Sequence, residues 1–394
     1  MYPAPFAARL GAVALALLLF FGILTIWVPE RWPLGVLQAG MFLLGAAWSL
    51  RQAVKREKLR WAFPVLVATG IAAWGLLQLG LGWTVYRLAT WESVLTWATY
   101  AMVCWLASEL LAWWDLRRDF RHALMWFGFL LSVASTVFYF AAPGKIFGIF
   151  PVDYRAVGPF LNRDHYSTFV ELIVPLALWE GLIDRRRTWS RALMAAALLA
   201  SVVAGASRAG SILVTLQVLL MLFLGLRPRL AETGVLRQAI AWTVLFAVAF
   251  VVVVGWEVLW RRFQEPDPFR GRREMLLASL AMVRERPGTG FGLGTWPVAY
   301  PAYAIWDPGT EFFVNHAHND WAEWAADGGL PVAGAMLALG LWSFRQGLSA
   351  PWGLGVVAAL AHCAVDFPMQ RPALAACLFA VVGALAARRV RRRD

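Results

Sequence analysis

Apolar runs of about 15 to 21 residues follow one another along almost the whole chain, and this repeat restricts the fold more than any other feature. Apolar residues make up 60% of the 394 positions, whereas charged residues make up only 15%. Such runs suit helices that cross the roughly 30 Å hydrocarbon core of a bilayer. The sequence therefore predicts an all-α polytopic membrane protein, with residues 1–394 forming a single integral membrane domain.

Twelve candidate transmembrane helices can be placed on these runs. They are 9–28, 33–50, 61–81, 94–114, 123–142, 166–183, 192–206, 209–226, 238–256, 328–343, 351–366 and 372–387. Several are shorter than the roughly 20 residues that a crossing needs, so their ends are predicted only approximately.

The net charge of +12 is distributed unevenly between the two faces of the predicted membrane domain. With both termini in the cytoplasm, the cytoplasmic segments hold 22 basic residues against six acidic ones, whereas the opposite face holds 14 basic and 15 acidic ones. The positive-inside rule therefore predicts cytoplasmic termini and an even number of crossings. The membrane topology accounts for the positive charge, so no nucleic-acid partner is predicted. The predicted partner is the lipid bilayer.

Two outer connections are long enough to form a functional surface, the larger over 257–320 and the smaller over 143–165. Within the larger one, residues 272–283 predict a helix of about three turns at the membrane surface. Glycine stands at every second position over 288–294. This spacing predicts a tight turn or a close backbone approach, with phosphate contact through the N–H groups as the alternative.

His316 and His318 lie at the end of the larger connection. On a helix they would point to nearly opposite sides, and on an extended segment to the same side. Asn319 or Asp320 would cap a helix beginning at Trp321. A histidine held there could act as general base toward a hydroxyl, and the alternative is an exposed loop histidine with no chemical role. The pair is too sparse for a metal site, so no metal ion is predicted.

Arg208 lies between two apolar runs with almost no loop around it. A guanidinium near bilayer depth needs a partner or a function. We predict that Arg208 binds a diphosphate, because guanidinium binds phosphate oxygens bidentately; the alternative is a salt-bridged turn residue. Glu171 and Glu180, within the span 166–183, are predicted internal partners for such cations.

Further basic side chains share the outer face predicted for Arg208. They are Arg163, His165, Arg272, Arg273, His316 and His318. Cations and histidines without an acidic metal motif suggest an anionic leaving group that arginine stabilises in place of a divalent ion. A lipid diphosphate that leaves a sugar fits this description.

Four stretches of sequence carry a more specific signal when they are taken together. They are 160–166 leading into Glu171 and Pro175, then Ser207 and Arg208, then 271–273 leading to 286–296, and finally 316–319 followed by 328–330. In this combination the chain resembles the O-antigen ligase and polymerase superfamily of bacterial membrane proteins.

This resemblance implies a GT-C-like, inverting glycosyltransferase of the bacterial inner membrane that needs neither a metal nor a cofactor. It would transfer glycan from undecaprenyl diphosphate to an acceptor hydroxyl, such as one on lipid A core, on the periplasmic face. By resemblance, His316 or His318 assists the acceptor, and Arg208 with Arg272 or Arg273 holds the diphosphate. Arg163 is a further diphosphate ligand, and the supporting residues are Asn319, Glu171 and His165.

Two other kinds of function fit parts of the same pattern. Ala317 stands where the ligase pattern commonly has Ser or Thr, which leaves open both the catalytic histidine and the acceptor. A polysaccharide polymerase or a protein O-oligosaccharyltransferase would share the donor-binding features. A transporter lined by Arg208, Glu171 and Glu180 belongs to a different class, and the inverted internal repeat that would favour it is not found in the sequence.

Overall fold

The computed structural model describes residues 4–153, 156–225, 233–267, 269–305 and 313–387. The helices within these ranges are α1 (Phe6–Leu24), α2 (Trp32–Val54), α3 (Phe63–Leu81), α4 (Arg87–Leu110), α5 (Trp114–Ala141), α6 (Arg163–Ile183), α7 (Thr188–Ala204), α8 (Arg208–Leu224), α9 (Thr233–Val254), α10 (Glu257–Phe263), α11 (Arg270–Glu285), α12 (Trp296–Ala299), α13 (Asp320–Ser349), α14 (Leu354–His362) and α15 (Pro372–Ala386). Short 3-10 segments are Arg185–Arg187, Tyr300–Ala302, Pro351–Gly353 and Pro368–Gln370.

Helices α1 to α9 and α13 to α15 coincide in order with the twelve predicted transmembrane segments. In the described ranges, seven of them are long and apolar enough to cross a bilayer, namely α1, α2, α3, α5, α6, α9 and α13. Helices α7, α8, α14 and α15 are apolar but shorter. An all-α polytopic membrane protein is therefore confirmed, whereas the number of twelve crossings and the GT-C class stay predictions.

One detail of the sequence prediction is wrong. The smaller connection contains a short antiparallel hairpin of two-residue strands, β1 (Lys145–Ile146) and β2 (Phe150–Pro151), which leaves the all-α class unchanged. The predicted span 351–366 ends early, because α14 stops at His362 and the chain turns over the start of α13. Asp366 therefore lies in a connection and not in a span.

Helix α6 occupies the middle of the bundle. Of its most apolar window, 89% is buried, compared with 11–44% for the other long apolar helices of the described ranges. It packs against α5, α7, α8 and α14. Polar groups at the two ends of α6 therefore face other parts of the protein instead of lipid.

Three helices begin at the same end of the bundle with a polar capping residue. Asn162 caps α6, Ser207 caps α8 and Asn319 caps α13, and each side-chain oxygen accepts a hydrogen bond from an N–H group of the first turn. The predicted cap at 319 or 320 is confirmed as Asn319. These caps bring three polar chain segments to one place.

The larger connection forms short helices, as predicted, although residue 268 and residues 306–312 lie outside the described residues. Helix α11 confirms the helix expected over 272–283 and packs against α13. Its buried face belongs to a small apolar cluster, separate from the main core, that includes Met282, Phe291 and Trp296. The connection is thus a packed unit held against the bundle.

The glycine-rich turn after α11 approaches the backbone of α13 closely. Gly290, Gly292 and Gly294 have positive φ values of 65°, 111° and 73°. A Cβ atom on Gly290 would come within 2.3 Å of the Asp327 carbonyl oxygen. The N–H groups of Gly292 and Gly294 donate to the backbone and side-chain oxygens of Asp327 at 2.9 and 2.8 Å. The close-approach prediction is confirmed, and the phosphate alternative is wrong because these N–H groups already have acceptors.

Candidate active site

The Asp366 carboxylate lies where the starts of α6 and α13 meet the connection between α14 and α15. Its side chain is fully buried. His318 Nδ1 lies 3.0 Å from Oδ1, and Asn162 Nδ2 donates to Oδ2 at 3.3 Å. His165 Nε2 is 3.7 Å from Oδ2, and Arg272 Nη2 is 4.0 Å from Oδ1. This one carboxylate thus links three segments that are far apart in the sequence.

Asp366 stays ionised in spite of its burial. Burial by itself would raise the pKa of this carboxyl group. The hydrogen bond to His318 and the electrostatic effects of His165, His318 and Arg272 outweigh burial and lower the pKa to about 2. At neutral pH the group is therefore a fixed negative charge beside the imidazole of His318.

Asp320 fixes the spacing between the two chain segments that carry His318 and Asp366. Its N–H group donates to the Cys363 carbonyl oxygen at 2.8 Å. Its carboxylate accepts from Met369 N at 3.0 Å and from Gln370 Nε2 at 3.1 Å. The start of α13 is therefore tied to both sides of the Asp366 connection.

The two histidines of the motif both contact the ring of Phe367. His316 stacks on this ring with centroids 4.5 Å apart, and His318 meets it edge-on at 4.6 Å. His165 also meets it edge-on, at 4.7 Å. Phe367 therefore forms an apolar platform between three imidazoles.

His316 has its own carboxylate partner. Its Nδ1 lies 2.9 Å from Glu323 Oε1, and the Ala317 N–H group donates to the second oxygen at 2.9 Å. His318 itself adopts a left-handed backbone conformation with φ 49°, which is uncommon for a residue with a Cβ atom. The two histidines of the motif thus pair with different carboxylates.

A cavity of about 420 Å³ opens beside the Asp366 group, between α6, α8, α10, α11 and α14. Its polar lining includes Arg208, Arg262, Arg272 and Asp164. Its apolar lining includes Ile212, Leu213, Phe263, Phe269 and Val365. A cavity with cations at one side and aliphatic and aromatic walls elsewhere suits a ligand with an anionic group and a hydrocarbon tail.

The cations of this cavity are held by carboxylates in the structure. Arg208 Nη1 donates to the Arg262 carbonyl oxygen at 2.8 Å and lies 3.1 Å from Glu265 Oε2. Arg272 Nη2 lies 3.3 Å from Asp164 Oδ2, whose other oxygen accepts from Ser207 Oγ at 2.6 Å. Both guanidiniums are partly exposed and can exchange these partners for another anion.

The predicted partners of Arg208 are different from those observed. Glu171 is fully buried and pairs with His362, whose Nδ1 lies 2.7 Å from Glu171 Oε1. Glu180 lies near the opposite end of α6 and pairs with Arg121 and His122. The expectation that these glutamates partner Arg208 is wrong, because the helix places one of them too deep and the other at the far end.

The remaining predicted arginines do not line the cavity in the part of the chain that the structure describes. Arg273 is 62% exposed and pairs with Asp267 at 3.2 Å. Consecutive positions on a helix point about 100° apart, so α11 turns Arg273 away when Arg272 faces the site. Arg163 is exposed at the first turn of α6, next to Asp164.

A second, smaller cavity lies between the end of α1, the start of α2 and the start of α15. It has about 220 Å³, and its lining includes Ile26, Arg31, Leu37 and Arg371. A narrow gap of about 20 Å³ shares Ile26 and Arg371 with it and reaches Asn162 and His165. The lining of this gap thus includes two side chains that contact Asp366.

Several residues of the site were missed by reasoning from the sequence. They are Asp164, Asp320, Glu323, Asp366, Phe367 and Arg371. The polar break over 366–371, between the last two apolar runs, was the available signal. The sequence prediction places Asp366 at the end of the span 351–366, and nothing in the linear order brings it to His318.

Comparison with known families gives one match. Residues 192–338 match the family model described as O-Antigen ligase. The matched segment contains Arg208, Arg272, His316 and His318, whereas Asp164 and Asp366 lie outside it. A search of the curated proteins gives no match to this chain.

Proposed function

Since residues 192–338 match the O-antigen ligase family and support membership of the O-antigen ligase and polymerase superfamily, we propose that this chain is a membrane glycosyltransferase of the O-antigen ligase type. It transfers glycan from undecaprenyl diphosphate to a hydroxyl of lipid A core on the periplasmic face of the bacterial inner membrane. The observation that carries the proposal is the cavity with Arg208 and Arg272 that opens beside the His318–Asp366 pair.

The donor occupies the larger cavity. Its diphosphate displaces the carboxylates of Glu265 and Asp164 from the guanidiniums of Arg208 and Arg272, because a diphosphate offers more charge and more acceptor oxygens than a carboxylate. Its polyprenyl tail lies along the apolar wall that includes Ile212 and Phe269. Arginine stabilises the negative charge that grows on the leaving diphosphate, and no metal ion is required in this proposal.

His318 is the proposed general base. With a proton on Nδ1 facing the ionised Asp366, its Nε2 is free to accept a proton. The acceptor oxygen attacks the anomeric carbon on the side opposite the diphosphate and forms the new glycosidic bond. The bond between that carbon and the phosphate oxygen breaks, its electron pair leaves with the diphosphate, and the hydroxyl proton moves to Nε2.

The acceptor approaches from the second cavity. The gap that contains Arg371 reaches Asn162 and His165, which contact Asp366 from the side away from Arg272. A two-substrate transferase needs separate approaches to one reacting centre, so we assign the larger cavity to the donor and the second cavity to the acceptor. A polymerase or a protein O-oligosaccharyltransferase would use the same donor cavity with a different acceptor here.

Reconstitution of the purified full chain in vesicles tests the proposal. The vesicles contain undecaprenyl diphosphate-linked glycan and either lipid A core or a second lipid-linked glycan, and product mass and linkage are measured. We expect glycan on lipid A core with inverted anomeric configuration and unchanged turnover in EDTA. Product on the second lipid-linked glycan alone would favour the polymerase, and loss in EDTA restored by a divalent ion would contradict the arginine mechanism.

A further inference from the structure

A second charged cluster lies at the opposite end of α6 from the candidate active site. Glu180 follows His165 by fifteen residues, which corresponds to about 22 Å along a helix. Arg121 Nη2, His122 Nε2 and Arg187 Nη1 lie 3.6, 3.0 and 4.0 Å from its carboxylate oxygens. We call Arg121, His122, Glu180, Arg187 and Arg191 the Glu180 cluster.

Two guanidiniums of the Glu180 cluster are buried with few polar partners. Arg121 and Arg191 are each only 6% exposed, and among the described residues the Nε atom of each has no hydrogen-bond partner. Arg191 Nη1 donates to the thioether sulfur of Met194 at 2.9 Å, which is a weak acceptor. A buried guanidinium needs an anion or several strong acceptors, so these two side chains are incompletely neutralised.

The charges around Glu180 do not balance. Asp184 lies 3.1 Å from Arg187 and offsets that charge. Glu180 then remains as the carboxylate that faces Arg121, Arg191 and His122. Asp119 pairs with the neighbouring Arg118. At least one positive charge is left over in a place that the bundle shields from water.

Aromatic side chains surround the buried guanidiniums and reach the surface. Arg121 lies over the rings of Trp114 and Trp352, and Arg191 lies over the ring of Trp126. Trp114 and Trp126 are 41% and 45% exposed. Exposed tryptophans are typical of the headgroup level of a bilayer, so the cluster lies where a phospholipid phosphate can reach it.

We propose that the Glu180 cluster binds the phosphate group of an anionic phospholipid in the leaflet opposite the candidate active site. The phosphate neutralises the excess positive charge of the cluster, and the acyl chains of the lipid lie along the exposed tryptophans. The sequence predicts this end of α6 to be cytoplasmic, where anionic lipids attract basic groups. The proposal does not depend on the transferase reaction.

Lipid-dependent thermal unfolding of the purified full chain tests this proposal. The wild-type chain in detergent is titrated with dioleoyl phosphatidylglycerol, with dioleoyl phosphatidylcholine or with inorganic phosphate. We expect phosphatidylglycerol alone to raise Tm, with one tightly retained molecule in native mass spectra. If the two lipids raise Tm equally, or if inorganic phosphate raises Tm as much as phosphatidylglycerol does, the proposal is overturned. This test needs only the wild-type chain.

A matched pair of variants locates the site. Arg121→Gln combined with Arg191→Gln removes two charges from the cluster, and we expect roughly 30-fold weaker binding of phosphatidylglycerol. Arg56→Gln combined with Arg345→Gln removes two exposed charges from the same predicted face and should leave binding within about twofold of wild type. Equal weakening in both variants would mean that the lipid responds only to surface charge, and the cluster would lose its assigned role.

Discussion

The His318–Asp366 and His316–Glu323 pairs have nearly the same geometry, with Nδ1 to oxygen distances of 3.0 and 2.9 Å. They differ in the other contacts of the carboxylate. The second oxygen of Glu323 accepts from the Ala317 N–H group, so both oxygens of this carboxylate are bonded to the neighbouring loop. Asp366 instead contacts side chains on both sides, including Arg272 at the larger cavity.

The role of a histidine–carboxylate pair therefore depends on the other groups that the carboxylate contacts. A pair whose carboxylate also bonds the backbone stabilises the conformation of the loop. A pair whose carboxylate contacts side chains of a cavity can respond to a ligand. The two histidines are indistinguishable in the sequence, and the carboxylates separate them.

Replacement of the two histidines should give the largest contrast. His318→Ala removes the proposed base and should lower kcat by about 10²- to 10⁴-fold. His316→Ala should lower kcat less than tenfold, because it removes a loop contact. The measurement is glycan transfer in vesicles, with donor binding as the control for folding, and the reverse order of effects would move the role of base to His316.

The two neighbouring arginines of α11 should also differ. Arg272→Gln removes a cation from the cavity and should lower transfer by about 10²-fold, in the range found when one group that stabilises a developing anion is lost. Arg273→Gln removes the same charge from an exposed position and should stay within about twofold of wild type. Transfer rates at saturating acceptor distinguish them, and equal losses would mean that overall charge alone matters.

The two carboxylates should separate the pairs by a smaller factor. Asp366→Asn removes a charge-assisted hydrogen bond worth about 1.5–3 kcal/mol and should lower kcat by about 10- to 100-fold. Glu323→Gln should mainly lower Tm, since Glu323 holds the loop through Ala317. Parallel measurement of kcat and Tm checks both statements, and a fall in Tm without a fall in kcat for Asp366→Asn would contradict its role.

The smallest predicted effect is a loss of folding stability at acidic pH. The pKa of Asp366 is lowered from 3.8 to about 2, so its ionisation contributes about 2 kcal/mol to unfolding free energy above pH 4. That contribution is lost as pH falls from about 4 through about 2. Unfolding of wild type and Asp366→Asn between pH 2 and 6 checks this, and identical pH dependence in the two proteins would contradict it.

The sequence predicts the fold well because transmembrane helices follow local hydropathy. The order of the apolar helices, the surface helix α11 and the Asn319 cap all depend on neighbours within one or two turns. The arginines and histidines stand out as polar groups at apolar boundaries. These features need no knowledge of tertiary structure.

The pairing of charges could not be predicted in the same way. Glu171 pairs with His362 across 191 positions, and His318 pairs with Asp366 across 48. Such contacts depend on how α6, α13 and α14 pack, which hydropathy does not encode. Arg272 and Arg273 also look equivalent until the orientation of α11 is known.

The left-handed backbone of His318 offers a chemical way to examine the site. An L-residue pays roughly 1–2 kcal/mol for this conformation, whereas glycine adopts it freely. The substitution His318→Gly would therefore remove this conformational free-energy cost and leave a space of the size of an imidazole between Phe367 and Asp366. Free imidazole added to such a variant can enter that space, so the proposed base becomes a reagent whose size and basicity the experimenter chooses.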